Sequence, residues 1–210
     1  MQDLVIIGAG NVGGFIAYNP NLFLQQYNIL GFVDDDPAKL GKNFYGYPVI
    51  GDLDYLLSLS TNTAVVIGIA SPKVKKTIHE KLASRGFPFP SFISNNAWLS
   101  NKVTVGQGAI IYPGVSINYE TKVGDFVIMN MNCAIGHNCD IGSYCALAPG
   151  VNLAGFTRVE EAVDLGIGVS TRQNISVGKA AIIGGQAMLV KNVSAGATIV
   201  GVPGAQILKR

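Results

Sequence analysis

The chain is short of charge. Only 13% of its 210 residues are Asp, Glu, Lys or Arg, about half the roughly 25% of an ordinary soluble domain. The charge present nearly cancels, at +2 with a pI near 8.4, so there is no basic surplus to grip phosphate backbones and nucleic-acid binding is excluded. Long apolar runs are missing too. Hydrophobics reach 49% and mean hydropathy is +0.35, yet the longest stretch, 64–70, is broken by Gly68, and a membrane span needs about 20 apolar residues. No membrane insertion is expected, and no secretory leader, because 4–8 run into a glycine loop rather than a cleavage site. The apolar content excludes disorder. Histidine occurs twice and cysteine three times. Cys133, Cys139 and Cys145 are six apart, a spacing that reads as core packing, not as a disulfide or metal cluster. Free thiols suit a reducing cytoplasm. What the chain has in quantity is glycine, 26 residues.

Much of that glycine belongs to a repeat. From Leu99 to Val200 the sequence divides into 17 six-residue units, whose first positions run Leu99, Val105, Ile111 and onward to Leu189 and Ala195. Fifteen of these are bulky aliphatics or Met, the fifth positions are small or β-branched, and Gly follows the first position in eight units. The pattern predicts a parallel β-solenoid with positions one and five inward and turns at the glycines. Three units make a coil of 18 residues, stacked at about 4.8 Å.

The first 90 residues follow a different period. A buried strand at 3–7 leads into Gly8-Ala9-Gly10-Asn11-Val12-Gly13 and a helix to about Gln25. A second strand, 29–33, ends at Asp34-Asp35-Asp36, and a third, 64–69, precedes a helix from the N-cap Ser71 to about Arg85. Strand–helix alternation predicts a small Rossmann-like α/β unit of about four strands, with 92–98 as the junction to the solenoid. Gly8, Gly10 and Gly13 form a phosphate-approaching turn at a helix N-terminus, and Asp34 and Asp35 stand where a ribose hydroxyl is held. The residues alone leave open a nucleotide-bearing ligand, NAD, or a loop retained for packing.

His137 is the candidate base. It sits third in Ile135-Gly136-His137-Asn138-Cys139-Asp140, outside the inward positions, and imidazole is the side chain that moves protons near neutral pH. His79, within a helix carrying Lys75, Lys76, Glu80 and Lys81, reads as a charged-surface residue.

The string IGHNCDIGSYCALAPGVNLAG (135–155), with IIGGQAMLVKNV (182–193), GVPG (201–204), GAGNVGG (8–14) and FVDDD (32–36), resembles the bacterial sugar O-/N-acetyltransferases of the sialic acid O-acetyltransferase (NeuD/PglD-like) type, within the hexapeptide-repeat acyltransferases. The resemblance implies a left-handed β-helix at 91–210 as acetyltransferase domain, following an α/β nucleotide-sugar-binding domain at 1–90. It implies acetyl-CoA as acyl donor, no metal, and a homotrimer with the donor in the cleft between subunits. It places Gly10, Asn11, Val12, Asp34, Asp35 and Gly68 around the nucleotide, Asn130 near the substrate, and Ala146, Gly155, Ile167 and Gly185 on acetyl-CoA. His137 becomes the general base that takes a proton from the amine or hydroxyl attacking the thioester, with no covalent acyl-enzyme. Two positions depart from the pattern. Ala146 stands where some relatives carry a second histidine, and Asn138 where some carry an acidic residue beside the base. Counting back one coil puts Glu120 beneath Asn138 and Tyr119 beneath His137, so Glu120 either supplies the missing carboxylate through the adjacent coil or is a solvated turn residue.

The resemblance implies N-acetylation of a nucleotide-linked 4-amino-sugar, with O-acetylation of sialic acid or a related sugar as the alternative. A non-catalytic or carbonic-anhydrase-like scaffold and an NAD-dependent protein are further alternatives. Outward Tyr112, Tyr119, Tyr144 and Phe156 add aromatic surface in favour of the trimer.

Overall fold

The computed structural model describes residues 1–207. Strand β1 (Gln2–Ile7) is buried from Leu4 onward and pairs in parallel with β2 (Tyr27–Val33) and β5 (Ala64–Ile67). With the hairpin β3 (Asn43–Phe44) and β4 (Tyr47–Gly51) these make a five-stranded sheet of order β3-β4-β2-β1-β5. The expected four strands missed the hairpin, whose turn, Tyr45-Gly46, has both residues at positive φ, a conformation usually announced by Asn-Gly or Asp-Gly. Helix α1 (Asn11–Tyr18) stops well before Gln25, where Asn19 and Pro20 turn the chain into a 3₁₀ segment. A short helix, α2 (Leu53–Ser58), was not foreseen. Helix α3 (Pro72–Leu82) starts on Ser71, whose side chain caps Val74, and ends through a 3₁₀ turn at left-handed Gly86.

The remaining chain winds into a three-faced parallel β-helix of two-residue strands. The first face runs from Trp98–Leu99 to Met188–Leu189, the second from Thr104–Val105 to Ser176–Val177, and the third from Phe92–Ile93 to Thr198–Val200. Phe92–Ile93 pairs with Ile110–Ile111, so coil pairing begins inside the expected junction. First and fifth positions fill the core, Cys133, Cys139 and Cys145 among them at 0–1% exposure.

Two details of the repeat differ from the sequence reading. The residue with unusual backbone angles is the fourth of each unit, not the second. From Lys102 to Gln186 every fourth position has positive φ, including Glu120, Asn138 and Phe156. Second-position glycines answer a different constraint, because a Cβ there meets the adjacent coil; at Gly106 it would lie 2.7 Å from the backbone nitrogen of Asp125. The six-residue register also ends before Ala195. Val193 pairs with Val177, and Thr198–Ile199 with Ile182–Ile183, so the last coil is two residues short and Ala195 is exposed. The shortened corner is closed by the Asn192 side chain, whose Oδ1 accepts from the Ser176 amide at 2.9 Å.

The α/β unit packs on the third face. Phe15 stacks on Tyr112 at 3.8 Å between ring centroids, and Phe23 meets Phe92 edge-on. Tyr112 is therefore buried under the chain's own N-terminal part and Tyr144 is partly covered by it. Tyr119 and Phe156 remain exposed. His79 is not a free surface residue: its Nδ1 lies 2.7 Å from the Tyr144 hydroxyl, and its ring packs on Phe126 and Phe89.

Candidate active site

His137 projects from the corner between the first and second faces. The residues one coil below and above it define its surroundings. Tyr119 stacks beneath it, with centroids 5.3 Å apart and planes within 10°, and Phe156 closes the side edge-on at 5.0 Å. Gly155 lies directly above, where a Cβ would stand 2.7 Å from Nε2 and 2.8 Å from Cε1. The imidazole is thus held in a slot that only glycine leaves open.

The ring is oriented from its other nitrogen. His137 Nδ1 lies 2.9 Å from Asn138 Oδ1, and Asn138 Nδ2 donates to Glu120 Oε2 at 3.0 Å. Because the amide spends its N–H on the carboxylate, its oxygen faces the ring, and Nδ1 is the protonated nitrogen. Nε2 then carries the lone pair, and has no hydrogen-bond partner among the described residues. Lys102 Nζ donates to the other Glu120 oxygen at 2.8 Å; that bond, followed by the one from Asn138, holds the Glu120 carboxyl below its usual range. Glu120 does sit one coil beneath Asn138, but it reaches His137 through the amide rather than by touching the ring.

The N-terminal loop is built around backbone groups. Gly10 is the N-cap of α1 and offers no side chain, leaving the first amides, at Asn11 and Val12, directed outward. Gly13 is buried against Gly68, where a Cβ on Gly68 would lie 2.7 Å from the Gly13 Cα. Gly68 therefore acts by close approach of two backbones. Asp34 accepts from the Ala9 and Asp36 amides and from Lys39 Nζ at 2.8 Å. Burial opposes its charge, yet Lys39 and these amides outweigh that and keep its carboxyl below the usual range. Asp35 accepts from the Leu53 amide at 3.0 Å and so fixes the start of α2. Tyr45, which the sequence reading passed over, donates to Asn11 Oδ1 at 3.2 Å. Between loop, aspartates and α3 lies a cavity of about 190 Å³ lined by Gly8, Asp34, Asp35, Ile69, Val74 and Ile78.

The expected acyl-donor residues stand apart from His137. Ile167 is 59% exposed at the corner between the third and first faces, with Gly185 one coil above and Asn130 on the same edge. Asn130 turns its Oδ1 onto the Met131 amide. Ala146 lies on the third face and is buried to 8% exposure. Within one chain, the outward residues of the first face separate these corners: Trp98, Ser116, Ala134, Asn152, Ser170 and Met188, none of them charged. Gly155, expected on acetyl-CoA, borders the base.

Lys75 is the other feature the sequence reading missed. It is 1% exposed on α3 and donates to the Cys145 carbonyl at 3.0 Å. Burial pulls its ammonium down to about 7, against the opposing pull of Cys145 and Asp164. Its place within a run of charged residues concealed it. No group of three or more His, Cys, Asp or Glu side chains converges on a metal-sized site among the described residues.

Comparison with known proteins matches residues 3–82 to the PglD N-terminal domain. The GDP-perosamine N-acetyltransferase of Escherichia coli O157:H7 is 30% identical over 174 residues, 81% of this chain and 78% of the relative. The acetyltransferase domain of PglB from Neisseria gonorrhoeae, solved in complex with acetyl coenzyme A, superposes with a TM-score of 0.88 at 28% identity, covering 98% of this chain and 99% of that one. A His-to-Asn variant of perosamine N-acetyltransferase from Caulobacter crescentus, in complex with CoA and GDP-perosamine, gives 0.89 at 26% identity, covering 100% and 98%. An α/β unit bearing a glycine-rich loop, a left-handed β-helix behind it and these relatives agree: the chain belongs to the NeuD/PglD-like family of hexapeptide-repeat sugar acetyltransferases, enzymes that use acetyl-CoA.

Proposed function

We propose that the protein transfers the acetyl group of acetyl-CoA to the amine of a nucleotide-linked 4-amino-sugar, with His137 as general base. The observation that carries this reading is the free Nε2 of His137, held open by Gly155 while Asn138 fixes the proton on Nδ1. As the neutral amine attacks the thioester carbonyl, Nε2 accepts the proton the nitrogen loses. When the C–S bond breaks, the same proton goes to the departing sulfur, so no side chain is acylated. The imidazolium formed in between is favoured by the Asn138–Glu120 chain, which places a carboxylate two hydrogen bonds away.

In this reading residues 1–90 bind the nucleotide, with Gly10, Asn11 and Val12 offering amides to a phosphate and Asp34, Asp35 and Gly68 shaping the cavity. Residues 91–210 bind acetyl-CoA along Ile167 and Gly185, and Asn130 meets the substrate. A single chain holds the base and the donor corner on opposite edges of an uncharged face, which supports a homotrimer whose clefts bring one subunit's base to its neighbour's donor residues. Acetyl-CoA and three free thiols suit the cytoplasm, and no helix among the described residues is long and apolar enough to cross a membrane. Mass spectrometry of reactions with acetyl-CoA and a panel of nucleotide 4-amino-sugars tests the reading. One acetyl group on the amine is expected, and transfer only to sugar hydroxyls overturns it.

A further inference from the structure

Helix α3 has two working faces. Val74 and Ile78 line the cavity beside Gly8, Asp34 and Asp35. On its other side Lys75, Lys76 and His79 grip the β-helix at the Cys145 carbonyl, Glu161 and the Tyr144 hydroxyl. Lys76 and His79 are partly exposed and replaceable contacts, and an exposed ion pair contributes little. Lys75 differs. An ammonium sealed at 1% exposure is costly to bury without a full set of partners, and its one hydrogen bond among the described residues goes to a carbonyl already accepting from the Ile128 amide. A methionine of similar reach would pack there without that cost, so lysine at this point calls for a role other than stability.

The acceptor carbonyl belongs to the peptide joining Cys145 to Ala146, where the chain enters the middle of the third face; Ile167 and Gly185 stand at the far edge of that face. One side of α3 is thus wall to the nucleotide cavity, and the other is fastened to the coil that carries Ala146. We propose that Lys75 is a positioning residue, whose ammonium sets the placement of the nucleotide cavity against the β-helix and so aligns the acceptor amine with the reaction site. This rests on the proposed acetyl transfer to a nucleotide amino-sugar. Lys75 touches neither substrate.

The charged form does the aligning. Asp164 pairs next above Ala146 on the third face, is half-buried, and has its own carboxyl raised by burial against the pull of Lys75. The groups that act on Lys75 are Asp164 and Cys145 on the coil; along the same helix Lys76 pairs with Glu80 and Glu161, and His79 meets the Tyr144 hydroxyl. Cys145 stays protonated, its thiol pushed up to about 12 by burial, so Asp164 is the counter-charge. When Lys75 loses its proton, the attraction to Asp164 ends and the clamp weakens. The rate limited by acceptor should fall as pH rises through the Lys75 titration.

The test measures kcat/KM separately for acceptor and for acetyl-CoA, from pH 6 to 9, in wild type, Lys75→Met and Asp164→Asn. Lys75→Met should lower acceptor kcat/KM about tenfold at neutral pH, leave the KM for acetyl-CoA and the Kd for the free nucleoside diphosphate within about twofold, and abolish the alkaline decline. Asp164→Asn should move that decline to lower pH, and decides the matter if Lys75→Met does not fold. A wild-type alkaline limb that neither variant removes or shifts, or a loss shared equally by acceptor and acetyl-CoA, overturns the inference. A wild type that acetylates no nucleotide amino-sugar overturns the proposed function instead.

Discussion

Asn138 Oδ1 faces His137 Nδ1 at 2.9 Å, turned that way because the amide's N–H is held by Glu120 one coil below. The arrangement depends on the repeat. Glu120 and Asn138 are fourth-position residues at the same corner, both at positive φ, so their side chains leave successive coils in register. A carboxylate one coil below thereby orients the imidazole through an intervening amide.

Breaking that chain should slow proton transfer without weakening binding. Glu120→Gln is expected to reduce kcat about three- to tenfold, and Asn138→Ala more, about 10- to 100-fold, each with little change in KM. Lys102 keeps Glu120 ionised well below neutrality, so the Glu120 contribution should persist down to the carboxylate range. Steady-state pH profiles check this, and an unchanged kcat and profile in Glu120→Gln removes Glu120 from the account.

Gly155→Ala places a methyl group 2.7 Å from Nε2. The position is without a positive φ, so the fold should survive while the imidazole is displaced. Activity is expected to drop at least about 100-fold with circular dichroism and Tm near wild type, since misplacing a catalytic group by an ångström costs on that order.

Gly68→Ala tests the N-terminal loop. Its Cβ would lie 2.7 Å from Gly13 Cα and 2.8 Å from Gly13 N, pushing apart the strand end and the helix start that shape the cavity. Calorimetry should show nucleotide binding weakened at least about tenfold, together with destabilisation of about 1–3 kcal/mol. Unaltered nucleotide affinity would place the ligand elsewhere.

Lys75 makes an opposite forecast for stability. Its folded value, about 7, lies below the roughly 10.4 of an unfolded lysine, so between these limits the unfolded chain binds more protons. This group's contribution to stability therefore rises with pH across that window. Lys75→Met should be at least as stable as wild type at neutral pH and lose that part of the pH dependence, measurable by urea denaturation at pH 7 and 9.5.

The repeat was legible because a two-position inward pattern cannot be held over so many units without a solenoid to use it, and His137, Asn138 and Glu120 followed by counting. The shortened last coil was hidden because Val193 and Ile199 are acceptable residues in either register. Docking of the α/β unit was hidden for a related reason. Tyr112 and Tyr144 are outward on their coils, and periodicity says nothing of what covers an outward residue. Lys75 and His79 read as charged surface because one face of α3 carries solvated lysines and the other a buried one. The glycine loop was legible as a motif, but the engagement of Asp34 with Lys39 and Ala9 depends on the strand ends meeting in space.

Thiol release from acetyl-CoA, followed with a nucleotide 4-amino-sugar as acceptor in wild type and His137→Ala, tests the central claim most directly. Acceptor-dependent release in wild type and a loss of about 100- to 10,000-fold in kcat for the variant, with acetyl-CoA binding retained, is the predicted result. A variant that keeps kcat within about threefold of wild type would contradict a general-base role for His137.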